Sequence, residues 1–259
     1  MADHSINIPA GEHRAEPIVL SLGASGTVSV LLEEGSRATV VSLCHGTEGM
    51  VIHQKGEIAT GGHLHWINVT LGGGIEQSLV STCTGDGAVS TIDWAFRASD
   101  CEHQSLSAKN IFSAGRGGGE VTMKGVAEDH AHIAASGMIG IGSQGAGTHS
   151  YLTQHVLMLD PTAKVDAIPG LEIKTNDVKA SHSATVSRVT PEDLFYFGAR
   201  GIIEKEARRM YIQGFFGDVL GRIVDPAVRA KAEEALGIQS QNSSSRVLHC
   251  RHAVRASSS

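Results

Sequence analysis

The chain's 14 histidines and four cysteines are the side chains best suited to metal or proton chemistry. His63 and His65 stand two residues apart, as do His130 and His132. On a strand, that spacing puts both imidazoles of a pair on one face and supplies half of a metal site. The competing reading is ordinary solvated or packed strand residues. Cys44, Cys83, Cys101 and Cys250 contain no C-x-x-C pair, so no zinc ribbon or redox dithiol is spelled out. Widely spaced cysteines can be brought together by a fold, although a buried cysteine is more often a small hydrophobe. Gly115-Arg116-Gly117-Gly118-Gly119 has the glycines of a phosphate loop but lacks the terminal Gly-Lys-Ser/Thr and the helix that should follow. It reads as a turn, and no nucleotide site is expected.

The elements that must position these residues are short strands. Runs with period-two alternation recur from about residue 18 to 180, separated by glycine or small polar clusters. Examples are Val28–Leu31, Thr39–Leu43, His65–Leu71, Val89–Phe96, Val121–Val126, His132–Ala135, Met138–Ile141 and Tyr151–Leu159. In the third of these Ile67, Val69 and Leu71 share a face. In the fourth, Ile92, Trp94 and Phe96 point one way, and Thr91 and Asp93 the other. No long helical pattern intervenes, which excludes a doubly wound α/β sheet. A sandwich and a solenoid remain. The 31 glycines and 4% aromatic content favour stacked short strands with small inward side chains. The lack of a strict repeat weighs against a solenoid, and the lack of Asn-Gly hairpin signals weighs against a sandwich.

The pattern changes after residue 188. Thr190-Pro191-Glu192-Asp193 reads as a helix start, and that helix is expected to run to about Ala199 with Gly201 ending it. From Ile202 to about Ile223, residues Ile203, Ala207, Tyr211, Phe215 and Val219 are spaced by four, and Met210, Ile212, Phe216 and Leu220 widen the stripe. Asp225-Pro226 starts a third helix that Gly237 closes. Residues 1–188 therefore read as a β body, 189–238 as a helical region, and the Ser-rich 239–259 as a disordered tail. Phe195, Tyr196, Phe197, Tyr211, Phe215 and Phe216 hold more than half of the chain's aromatic side chains. Such enrichment suits a protein-binding surface, and an end cap for a solenoid is the competing reading.

The net charge of −6 gives no electrostatic case for nucleic acid. No apolar run reaches the roughly 20 residues needed to span a bilayer. Met1–Ala10 lacks a basic and an apolar signal region, so a cytoplasmic, reduced protein is expected.

The stretch from Pro169 to Val186, PGLEIKTNDVKASHSATV, follows the pattern P-x-L-E-I-x-x-x-D-V-x-x-x-H-x-A-T. With Leu194-Phe195-Tyr196, Ala199-Arg200-Gly201-Ile202, Ala207, Gly214-Phe215-Phe216 and Val219, and with His63-Leu64-His65-Trp66 to Leu71-Gly72 upstream, it resembles the SufB/SufD family of iron–sulfur cluster assembly proteins. The resemblance implies a mainly β fold: a right-handed parallel β-helix with a small C-terminal α-helical region. It also implies dimerisation through the β-helix core, either with itself or with a SufB-type paralogue. The C-terminal helices would dock a SufC-like ABC ATPase, whose ATP-driven rearrangement of the complex exposes the core interface. A transient iron–sulfur cluster would be built there, with no nucleotide bound by this chain and no enzyme activity of its own.

Within that resemblance, His182 and His155 are the cluster-assembly candidates and, with Cys101, the candidate metal ligands. Phe195, Tyr196, Arg200, Tyr211, Phe215 and Phe216 are the candidate partner-binding residues. The chain departs from the family in three ways. It is short, and the N-terminal helical domain of larger members looks absent. The strand Tyr151–Met158 has no cysteine where SufB-type members place a sulfur-accepting thiol. Ser183 follows His182 where SufB has a glutamate. These departures make the chain more similar to SufD. A SufBD-like structural or regulatory protein without assembly activity is the alternative. A polysaccharide-active β-helix enzyme is disfavoured by the aromatic-poor body.

Overall fold

The computed structural model describes residues 3–238. The strands come first in the chain. They are β1 (His4–Ile8), β2 (Ile18–Leu22), β3 (Gly26–Leu32), β4 (Arg37–Gly46), β5 (Met50–Ile58), β6 (His63–Gly72), β7 (Ile75–Cys83), β8 (Val89–Ala98), β9 (His103–Phe112), β10 (Gly118–Ala127), β11 (His132–Ile141), β12 (Thr148–Met158), β13 (Lys164–Ile173) and β14 (Val178–Arg188). Three helices follow: α1 (Pro191–Gly198), α2 (Glu204–Gly221) and α3 (Pro226–Ala235). The expected tail, 239–259, lies outside the described residues.

Odd and even strands sort into two parallel sheets. One runs β1-β3-β5-β7-β9-β11-β13 and the other β14-β12-β10-β8-β6-β4-β2. Parallel neighbours need a crossover, and here it is the strand of the opposite sheet rather than a helix. The result is a β-solenoid of about 6 turns. This resolves the choice between solenoid and sandwich in favour of the solenoid.

Stacking register explains the composition. Val40, Trp66, Ile92, Val121 and Leu152 form one inward column, and Ser42, Asn68, Trp94, Met123 and Gln154 form the next. One ring of the interior requires a glycine beside it in register. A Cβ on Gly125 would overlap the ring of Phe96, which sits beside it in register. Similarly, a Cβ on Gly119 would strike the carbonyl of Ser90. The interior also holds a hydrogen-bonded polar cluster. Gln54 Nε2 donates to Ser42 Oγ at 2.9 Å, Asn68 Nδ2 to Gln54 Oε1 at 2.8 Å, Gln77 Nε2 to Gln54 Oε1 at 2.9 Å, and Trp94 Nε1 to Thr70 Oγ1 at 2.9 Å. Each bond offsets the desolvation cost of its amide or hydroxyl.

Helices α1 and α3 begin where their caps predict. Thr190 and Asp193 form a reciprocal capping box on α1, and Asp225 accepts from the Ala227 and Val228 amides at the start of α3. The outer face of the even-numbered sheet is covered by α2 and α3. Val41, Ile67, Val69, Ala95 and Val126 join Ile212, Phe216, Val219 and Leu220 in a second apolar cluster, separate from the solenoid interior. The face of β6 carrying Ile67, Val69 and Leu71 is therefore the outer one, while Trp66, Asn68 and Thr70 point inward. β6 is buried on both sides. Ion pairs fasten the helices down: Arg222 to Asp93 at 2.8 Å, Lys124 to Asp218 at 2.7 Å and Arg208 to Asp160 at 3.0 Å.

Candidate functional site: the open end of the solenoid

The last coil is unlike the others. Among the described residues β13 pairs only with β11 and β14 only with β12, so both sheets end there in a strand with one unpaired edge. Neither strand has a fully buried residue. Their inward positions continue the interior columns. Val165, Leu171, Val178 and Ala180 pack against the core, whereas Ile173 and Val186 are 41% and 46% exposed. Ile168, on the outward face of β13, is 63% exposed.

His182 lies in this coil. It is in register with Leu152 and so ends the column that starts at Val40. Its imidazole is exposed and makes no side-chain hydrogen bond among the described residues. A single imidazole in an apolar end face can accept a proton or offer one nitrogen to iron.

His155 is on β12 but faces the other side of the sheet. Its Nε2 is 3.0 Å from Ser187 Oγ, and its ring meets Phe215 edge-on at 4.8 Å. Partial burial, and then the Lys124 ammonium, hold it below the ordinary histidine range, against a smaller opposing pull from Asp218. The fold thus leaves His182 and His155 on opposite faces of one sheet.

The remaining candidates are dispersed. Cys101 sits exposed in the turn between β8 and β9 and is not a free thiol. Cys44 and Cys83 are buried in different sheets, and burial pushes both thiols up to about 12. They are protonated at neutral pH and do not converge. Among the described residues no group of three or more His, Cys, Asp or Glu side chains could hold a metal ion. His130 corrects a second expectation. It lies in the turn before β11, so it does not share a strand face with His132. His132 instead pairs with Asp166 at 2.7 Å and meets His103 edge-on at 4.8 Å. The glycine run does form a turn, with Arg116 at φ 55° and bound to Asp86 at 2.6 Å.

The six aromatic and basic docking candidates divide. Phe195 is 76% and Tyr196 55% exposed, with the Arg200 guanidinium 3.6 Å over the Tyr196 ring. Tyr211 is half-buried against Phe197. Phe216 is completely buried in the second apolar cluster, and Phe215 is half-buried against His155 and Lys124. Phe216 therefore holds α2 to the body and is not presented to a partner; of the stripe spaced by four, Ala207 and Val219 are buried, Tyr211 and Phe215 are half-buried and Ile203 is exposed. The spacing alone does not distinguish the two uses.

A buried ionic cluster lies where histidine spacing does not point. Asp93 is fully buried, accepts from His65 Nε2 at 2.6 Å and is held by Arg222 Nη1 at 2.8 and 3.1 Å. Its signal was an aspartate inside the apolar run Ile92–Phe96.

The sequence profile described as SUF system FeS cluster assembly, SufBD core domain matches residues 18–215. The chain belongs to the SufBD family. An iron–sulfur cluster assembly SufBD family protein of Mycobacterium leprae is 29% identical over 239 residues, covering 85% of this chain and 60% of that protein. A second from the same organism is 24% identical over 194 residues, covering 74% and 22%. One from Mycobacterium tuberculosis is 37% identical over 107 residues, covering 41% and 27%. The chain thus spans between about a fifth and three-fifths of these relatives' lengths. The SufBD match covers the open end, His182 and α1. No helix among the described residues is long and apolar enough to cross a membrane.

Proposed function

We propose that this SufBD-family chain is a SufD-like supporting subunit in iron–sulfur cluster assembly. Its open solenoid end would pair with a second such end, either its own copy or a SufB-type paralogue. The exposed Phe195 and Tyr196 of α1 would receive a SufC-like ABC ATPase, which carries out the ATP hydrolysis.

The observation that carries this reading is the last coil. β13 and β14, of 10 and 11 residues, leave rows of backbone donors and acceptors unpaired beside exposed apolar side chains. Such edges are usually blunted or covered, because they template pairing with another chain. A two-fold contact would cover them and bring two copies of His182 toward one interface. The cluster is cargo here. One imidazole cannot hold it, so the remaining ligands would come from the second subunit and the assembling ions.

Light scattering on the purified protein tests the pairing. A dimer that becomes a monomer in Ile173→Asp/Val186→Asp supports it, and an unchanged mass in that variant refutes it. Co-purification with a SufC-like ATPase tests the docking. Association should be lost in Phe195→Asp/Tyr196→Asp, and retention would sink that part.

A second reading, a SufBD-like partner without assembly activity, is favoured by the thiol chemistry: Cys44 and Cys83 are buried and protonated, and Cys101 is not free. Anaerobic reconstitution with iron and sulfide separates the two. Cluster absorbance in the wild type that falls in His182→Ala supports assembly, and no absorbance in either supports the second reading.

A further inference from the structure

The helical layer leaves one end of the even-numbered sheet uncovered. There the outward residues of β4, β6 and β8 form two adjacent rows. His13, Arg37, His63 and Val89 stand side by side in the first row, and Thr39, His65 and Thr91 in the second. Neighbouring strands are about 4.8 Å apart and outward residues along a strand about 6.6 Å, so the two rows span a patch of about 14 by 7 Å. Apart from His13, these residues line, together with Arg14, a groove of about 220 Å³.

The groove's charge is unbalanced. Arg37 is exposed and makes no ion pair among the described residues. The carboxylates nearby are already engaged. Glu12 pairs with Arg14 at 2.7 Å, and the buried Asp93 behind the second row is shared by His65 and Arg222. Thr39 and Thr91 contribute hydroxyls with no side-chain hydrogen bond among the described residues. His13 Nε2 donates to the Gly35 carbonyl at 3.1 Å, which fixes its ring at the groove's edge. Burial, then the Arg37 cation, then His13, hold His63 below the ordinary histidine range, so a neutral imidazole stands beside the Arg37 guanidinium.

We infer that this groove is a binding site for a small multivalent oxyanion of the phosphate type, with Arg37 as the principal charge and His63, Thr39 and Thr91 as hydrogen-bonding partners. A guanidinium offers a planar fork of donors that matches such an anion, and hydroxyls and imidazole N–H groups complete its shell. The volume admits a phosphate group with room for a small substituent. The site is separate from the open end and does not rest on the cluster-assembly reading. Its neighbour is the Asp93–His65–Arg222 cluster, where the end of α2 joins the sheet.

The test is a titration of the full chain with inorganic phosphate at constant ionic strength, followed by the imidazole NMR signals of His63 and His65, assigned with His63→Gln and His65→Gln. Saturable shifts are expected, with the half-saturation concentration raised about tenfold or more in Arg37→Gln, the usual scale for losing a charged hydrogen-bonding partner. Arg37 is exposed, so this variant should keep the fold, and far-ultraviolet circular dichroism checks that it does. Should Arg37→Gln lose its fold, Thr39→Val/Thr91→Val is read in the same way. Glycerol 3-phosphate, titrated in parallel, distinguishes an esterified phosphate from the free ion: tighter binding than inorganic phosphate assigns the ester. Shifts that do not saturate, that chloride reproduces, or that are unchanged in Arg37→Gln would overturn the assignment.

Discussion

Replacing Phe216 by alanine separates the two roles open to the aromatic residues of α2. The ring is completely buried between α2 and the outer face of the even-numbered sheet, among Ile212, Val219, Leu220 and Phe215. Truncation loses the transfer free energy of the ring and leaves a cavity that rigid strands on one side cannot collapse to fill. The expected cost is about 3–5 kcal/mol. It should fall first on the helical layer, because the strands beneath are also held by parallel ladders and by the separate interior cluster. Phe195 provides the contrast: at 76% exposure its truncation should cost less than about 1 kcal/mol. Hydrogen exchange read by mass spectrometry reports α2 and α3 directly, while fluorescence from Trp66 and Trp94, both inside the solenoid, reports the body. In Phe216→Ala the α2 and α3 amides should lose about 3–5 kcal/mol of protection, with Phe195→Ala matching wild type. Protection in Phe216→Ala within about 0.5 kcal/mol of wild type would refute the packing role and return Phe216 to the docking surface.

Three further outcomes follow from the same contacts. Arg222→Gln leaves the buried Asp93 carboxylate with His65 alone; because the Arg222 side chain is 37% exposed, the loss is expected at about 1–3 kcal/mol by urea denaturation, and adding Asp93→Asn should recover part of it. Burial raises Asp160, but the Arg208 hydrogen bonds and charge, with the Asp129 amide, outweigh it and hold the carboxyl below its ordinary 3.8. A depressed carboxyl stabilises the fold above its unfolded value and loses that contribution as pH falls through the folded one. The stability gap between wild type and Arg208→Gln should therefore be constant near neutral pH and narrow as pH falls below about 3.8, as followed by denaturation across pH; a gap that does not narrow in acid contradicts the pairing. Cys44 and Cys83, with thiols pushed up to about 12, should resist a thiol reagent at pH 8 and be labelled only on unfolding, and rapid native labelling found by peptide mapping would contradict their burial.

Local features were legible in the sequence because their physics is local. The capping box at Thr190, the Asp225 cap and Gly237 just after α3 place three helix boundaries from a few neighbouring residues. Period-two alternation finds the strands, and the Pro169–Val186 motif identifies the family and, through it, the solenoid. The positions of functional groups relative to one another were not legible. His182 and His155 are separated by a sheet, His13 joins Arg37 and His63 in one row, and Ile67 and Phe216 meet in a layer far from either in the chain. In a parallel solenoid every contact within a sheet joins residues a full coil apart, and the helical layer joins residues farther apart still. Register therefore depends on the lengths of the intervening turns, and those vary from coil to coil without a repeat. Which face of a strand points inward follows from that register and from where the helices settle. Only the tertiary structure holds both.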